Sequence, residues 1–206
     1  MSMKKRFGLV CMMMVAAGLA YCQTARSSSS SFWKPQPANY HVRQAWEAET
    51  LFPMFLYGGY HLGVGYRYEK LRVRVSVIDG GSYNADNGTP DGPIDGYERR
   101  YKPSPGFFLG FNTWKNLELY GYYEYHTFEI RQLATAQNTD LVSHDLGIGL
   151  SYQFFVGRTL YLQPGIHTYF RTDKEVGFKN GGRYAIPTFE LTPVIRLGAR
   201  IWREHY

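Results

Sequence analysis

Charged and histidine side chains recur along this chain between apolar or aromatic neighbours. His61, Arg67, Arg72, Arg74, Glu118, Glu124, His126, Asp145, His167, Glu190, Arg196 and Arg200 form the set richest in chemistry. A histidine near a carboxylate can move protons. Charges held away from water are tolerated only when paired, so the same residues also suit an internal network of ion pairs and hydrogen bonds. Their types favour the network. A nucleophile needs a base within hydrogen-bond reach, and the polar faces lack a recognisable catalytic set. His144 and Asp145 are adjacent in sequence, but adjacent strand residues point to opposite faces. Asp86, Asn87, Asp91 and Asp95 crowd a glycine-rich stretch. Their spacing is not that of an EF-hand, and they read as a solvated loop. No metal site and no cofactor is expected.

The elements that must position these side chains are strands. Leu62, Val64, Tyr66 and Tyr68 alternate with His61, Gly63, Gly65 and Arg67. Leu71, Val73, Val75 and Val77 alternate with Arg72, Arg74 and Ser76. Further along, Leu117, Leu119, Tyr123 and Tyr125 oppose Glu118, Tyr120, Tyr122, Glu124 and His126. A strand alternates faces with period two, so one face seeks an apolar medium and the other a polar one. The reading gives strands at 53–69, 71–79, 105–114, 117–131, 141–155, 159–171 and 183–202. Met54 and Leu56 join the apolar face of the first. Pro164, Pro187 and Pro193 fall on apolar faces, where bulges or local unpairing are expected.

The connections alternate in length. Residues 69–70, 114–116 and 156–158 are short; 80–104, 132–140 and 172–182 are long. Short turns at one end and longer loops at the other mark transmembrane barrels, with the short turns periplasmic. A soluble up-and-down barrel is the rival architecture. It would turn the polar faces outward, yet those faces are rich in glycine and pairable charge and poor in lysine. Seven strands leave one missing from a chain that starts and ends on one side. Residues 40–49 are the only candidate, although Ala45, Trp46, Ala48 and Glu49 also suit a helix. Counting from the short turns places Arg67, Arg72, Arg74, Glu118 and Arg200 near that end. His61, Glu124, Asp145, His167 and Arg196 fall at mid-height, with Glu190 and His126 above. Tyr66, Tyr68, Trp114, Tyr123, Tyr125, Phe154 and Trp202 would form interfacial girdles.

The 206 residues suit one domain, and their 18 Tyr, 13 Phe and 22 Gly favour strands. Mean hydropathy is −0.36. Residues 1–22 read as a signal peptide: Lys4, Lys5 and Arg6 precede an apolar run at 7–19, and Gln23 is the expected new N-terminus. That run is too short for a membrane anchor. Leu19-Ala20-Tyr21-Cys22 resembles a lipobox, with tyrosine out of place, so lipidation at Cys22 stays open. Both cysteines, Cys11 and Cys22, lie in this segment, which leaves the mature chain no thiol chemistry. The net charge of +6 falls to +3 once the three basic residues of the signal are removed. Basic residues are scattered singly, which argues against nucleic acid. Residues 23–38, with five consecutive serines at 27–31, form a Ser/Pro-rich tether. The barrel domain is read as 39–206.

With these features together, the chain resembles small bacterial outer-membrane β-barrels of the OmpA and OmpX type. The resemblance covers 53–202 and is architectural. Arg196-Leu197-Gly198-Ala199-Arg200-Ile201-Trp202 is similar to the C-terminal β-signal of outer-membrane proteins, with Arg203 where a final aromatic is usual. Gln at the new N-terminus resembles exported proteins of Bacteroidetes-type bacteria. The resemblance implies an all-β, antiparallel up-and-down transmembrane barrel of eight strands in the outer membrane of a Gram-negative bacterium. It also implies contact with outer-membrane lipid and insertion by the β-barrel assembly machinery.

Three functions follow as expectations. The first is a structural or interaction barrel with a side-chain-filled lumen, meeting a protein or surface ligand at loop 80–104. The second is a narrow pore for small solutes. The third is a lipid A-modifying enzyme. For the third, His126-Thr127 resembles the His-x-Ser motif of lipid A deacylases, but the serine and asparagine are missing. Omptin-like proteases use ten strands. No enzyme activity is expected.

Overall fold

The computed structural model describes residues 42–56, 58–83 and 96–205. The signal segment, the tether, both cysteines, Tyr40 and the acidic loop at 86–95 lie outside the described residues.

Among the described residues thirteen elements follow one another: β1 (Val42–Leu51), α1 (Phe52–Leu56), β2 (Tyr60–Tyr68), β3 (Leu71–Asp79), β4 (Tyr97–Tyr101), β5 (Ser104–Trp114), β6 (Leu117–Gln132), β7 (Gln137–Tyr152), β8 (Phe154–Val156), β9 (Leu160–Arg171), β10 (Glu175–Gly177), β11 (Arg183–Ala185) and β12 (Phe189–His205). Eight of them form the wall, in the order β1-β2-β3-β5-β6-β7-β9-β12, and β12 pairs back onto β1. The sheet is closed, and every wall contact is antiparallel. β8 prolongs β7 beyond Gln153 and pairs with β9.

The register fixes the dimensions. Stepping across the paired residues from Arg171 leads through Asp145, Glu124, Gly106, Ser76, Gly63, Glu49 and Gly198 to Tyr161, on the strand where the circuit began. One circuit therefore descends from position 171 to position 161 of β9, a stagger of ten residues. At ~3.3 Å per residue and ~4.8 Å between strands, this stagger gives a tilt of roughly 40° and a radius of roughly 8 Å. Such an interior is just wide enough for side chains to fill.

Val42–Leu51 is a strand, which supplies the eighth wall element. Its faces differ from the weak alternation of Val42, Gln44 and Trp46, because a register shift between Val42 and Gln44 turns Val42 inward and Trp46 outward. Residues 53–56, 58 and 59 are not strand. Pro53 stands in the first turn of α1, where its fixed φ and missing N–H suit a helix, and pairing resumes at Tyr60. The 132–140 loop is also shorter than expected, since the β6–β7 ladder runs up to Gln132 and Gln137. The strands outlast the apolar exterior that served to delimit them. The 183–202 segment is split, with β11 pairing β10 and Pro187 lying between β11 and β12. The β9–β12 ladder carries Pro164 and Pro193 without a shift. On the other side of β9, no pairs form between Ser151 and Phe154, opposite Pro164.

Two of the short turns carry non-glycine residues in the left-handed region, Glu69 at φ 51° and Lys115 at φ 50°. The two-residue connection Glu69-Lys70 demands this geometry to match the twist of its flanking strands.

The outward faces carry Leu62, Val64, Val73, Val75, Leu109, Leu119, Leu146, Ile148, Leu150, Ile166, Ile195 and Leu197, all exposed. They ring the whole circumference. Water does not tolerate an apolar surface of that extent on a monomer, and a closed barrel satisfies its backbone in lipid. The barrel spans a membrane. Aromatic residues gather at the short-turn end: Trp46, Tyr68, Trp114, Phe154 and Trp202 are exposed there, and Trp46 pairs with both Trp202 and Tyr66.

Candidate functional site

The inward faces stack in four layers. The lowest is ionic. Glu47 takes Arg72 Nη2 at 2.7 Å and Arg200 Nη2 at 2.9 Å. Glu49 takes Arg72 at 2.8 Å, Arg74 at 2.8 Å and Arg196 Nε at 3.4 Å. Glu118 takes Arg72 Nη1 at 3.1 Å and the Gln163 amide at 2.8 Å. Arg72 also donates to the Tyr161 hydroxyl at 2.9 Å, so three carboxylates and a phenol surround one guanidinium. Arg67 sits at the turn and donates to the Glu69 carbonyl at 2.9 Å. All these charged groups are buried.

An aromatic layer lies above, made by Phe108, Tyr120, Tyr122 and Tyr169. Arg74 packs its guanidinium 4.9 Å from the ring centres of both Phe108 and Tyr120, a cation–π arrangement that joins the two layers. The rings fit because their cross-strand partners are glycine. Tyr120 lies against Gly149 and Tyr122 against Gly147, and a Cβ at either glycine would overlap the ring.

The third layer is ionic again. His126 Nδ1 lies 2.8 Å from Asp145 Oδ2, and its Nε2 lies 3.4 Å from Glu124. Arg171 binds Asp145 at 3.0 Å and Glu190 at 2.8 Å. Ser143 donates its hydroxyl to Asp145. His61 Nδ1 accepts the Leu51 backbone N–H at 3.1 Å. His167 packs on Tyr169 with ring centres 4.7 Å apart.

The fourth layer is apolar and closes the long-loop end. Met54 of α1, Ile78, Tyr101, Phe128, Ile130, Leu141, Phe178, Tyr184 and Ile186 form one buried cluster. Tyr101 and Phe128 cover His126, with ring centres 4.8 Å and 5.4 Å away.

All twelve residues singled out from the sequence face the lumen, and only Glu190, 30% exposed at its side chain, reaches outside. Arg196, placed at mid-height by counting, joins the lowest layer through Glu49. Ser143, Asp145 and His126 contain the residue types of a catalytic triad in the wrong order, because the serine bonds the carboxylate and not the imidazole. The three are fully buried beneath the cap. Outside, above the apolar belt, Tyr83 lies between Arg100 and Arg131, which pair with Glu129 and Glu98. Partial burial and the Glu129 carboxylate push the Tyr83 phenol up. Among the described residues, no group of histidine, cysteine and acidic side chains could hold a metal ion.

No protein-family description matches the chain, and no curated protein matches it. Solved structures similar in part include the following two. Neisserial surface protein A has 12% identity and a TM-score of 0.44, over 78% of this chain and 96% of that one. The N-terminal β-barrel domain of Pseudomonas aeruginosa OprF has 11% identity and a TM-score of 0.42, over 76% of this chain and 95% of that one. The fold assignment rests on the closed pairing above and not on these likenesses.

Sequence reasoning missed Glu47, Glu49 and Arg171 as members of the network. Glu47 and Glu49 stand two apart, the strand period, and that spacing was the available signal. It was masked by the helix-forming composition of 45–49. Arg171 was legible on the polar face of its strand, but it ends that strand and its partner Asp145 lies on another.

Proposed function

We propose that this chain is an integral outer-membrane barrel whose lumen is a structural brace, and that it acts as a structural or interaction protein through its capped, long-loop end. The observation that carries this reading is the double closure of the lumen. Buried arginine–carboxylate pairs fill the short-turn end, and a buried apolar cluster fills the other. A solute would have to break both. Export follows from the signal-like segment 1–22, and the short turns are placed on the periplasmic side. The stretch 196–202 belongs to β12, the strand that closes the barrel on β1, which supports its reading by the β-barrel assembly machinery. The external partner is a protein or surface ligand met by the long-loop end, which includes β4.

Conductance across planar bilayers tests the reading. The purified protein is expected to give no channel events, and steady unitary openings would overturn it in favour of a narrow pore. Lipid A from cells with and without the gene should show the same acyl pattern; a changed pattern would establish the enzyme instead.

A further inference from the structure

The wall is not equally complete at every height. The β1–β12 ladder stops at Leu51 and Arg196. The β1–β2 ladder stops at Glu49 and Gly63. β12 continues upward from Ile195 to Phe189, and among the described residues it pairs through that stretch with β9 alone. Between this half of β12 and the upper part of β2 the described chain contributes no strand. α1 occupies the interval and contacts both neighbours. Met54 turns into the cap cluster, while Phe52, Phe55 and Leu56 are 47%, 41% and 70% exposed.

The interruption lies within the apolar belt. Leu191 and Ile195 are exposed on β12, as are Ile166 and Phe170 beside them and Leu146 and Ile148 beyond. An unpaired strand edge at this depth is costly, because lipid offers it no hydrogen bonds. Pro193 stands in the middle of the edge and has no N–H to give, which blunts the addition of a strand from another protein. What the outer surface offers is exposed apolar side chains on both α1 and β12. Behind it lie Thr192, half-buried, and Glu190, whose Oε1 is 3.4 Å from the Thr192 hydroxyl.

We propose that this interruption is a lateral lipid site, in which one acyl chain of an outer-leaflet lipid seats between α1 and the unpaired edge of β12. α1 serves as its inner wall. Phe52, Phe55 and Leu56 line one side, and Leu191 and Ile195 line the other. Glu190, the one of the twelve named luminal residues open to the outside, marks the headgroup end.

Spin labelling tests the site in the full chain with Cys11 and Cys22 changed to serine, reconstituted in phosphatidylcholine bilayers. A nitroxide at Thr192 should collide with oxygen, which concentrates in lipid, several-fold more often than one at Ser76, which faces the lumen where β2, β3 and β5 pair without interruption. A water-soluble nickel chelate should reach neither. Equal shielding at both positions, or access at Thr192 by nickel and not oxygen, would overturn the proposal. Native mass spectrometry of protein released from the same bilayers gives a second reading. One phospholipid should stay bound to the wild-type chain and be lost from the F55D/L56D variant. No retained lipid, or equal retention in the variant, would also overturn it. Neither result bears on conductance, so the failure of this site and the failure of the brace reading are distinguishable.

Discussion

Glu49 is shared by three arginines in the lumen, and removing it tests the brace severely. It holds Arg72 and Arg74 at 2.8 Å each and Arg196 at 3.4 Å, with every partner buried. Taking one partner from a buried pair costs about 3–5 kcal/mol, because the other charge is left uncompensated. Three guanidinium groups lose an anion here, although Arg72 keeps Glu47 and Glu118. A cost of about 4 kcal/mol is therefore expected for Glu49→Ala, roughly a thousandfold in the folding equilibrium at ~1.4 kcal/mol per tenfold. Glu49→Gln keeps the shape and one acceptor, so it should cost less than alanine and still more than wild type. Lys102→Ala is the control. It breaks the pair with Asp140 at 2.7 Å, whose side chains are 37% and 47% exposed, and such pairs contribute about 0–1 kcal/mol. Urea unfolding in phosphatidylcholine vesicles measures all three. Equal midpoints for Glu49→Ala and wild type would refute the reasoning, since they would mean a hydrated lumen in which Glu49 is replaceable by water.

Glu124→Ala removes the carboxylate beside His126 Nε2; a loss of about 3 kcal/mol is expected, read as a lower temperature for the heat-modifiable gel shift. Phe128→Ala empties a fully buried position at the centre of the cap. It should cost about 3–5 kcal/mol and open the long-loop end to limited proteolysis while the heat-modifiable barrel persists; an unchanged digestion pattern would mean the cap does not depend on this cluster.

The fold was legible in the sequence to the extent that lipid contact imposed a period of two. Leu146, Ile148 and Leu150 could face nothing but an apolar medium while Asp145 and Ser151 faced away. The pattern failed where that environment ends. Above the belt, β6 and β7 keep pairing up to Gln132 and Gln137 with a polar outer face, so alternation no longer marks the strand. It failed again at 53–56, where Met54 and Leu56 keep the spacing of a strand but Pro53 stands in the first turn of a helix. The lumen was legible by type, since charged residues on a face between apolar neighbours must meet inside. Which charges meet depends on the ten-residue stagger, a property of the closed circuit. Counting from the short turns alone therefore sets Arg196 too high, and the helix-forming composition of 45–49 hides Glu47 and Glu49.

The central claim is that lipid lies outside the wall and a packed polar lumen inside. Nitroxide scanning along β7 tests it most directly. Labels at Leu146, Ile148 and Leu150 should be reached freely by oxygen, and labels at Ser143, Asp145 and Ser151 should be shielded from oxygen and from a water-soluble nickel chelate alike. Access that does not alternate, or nickel access at the three inward positions, would contradict it.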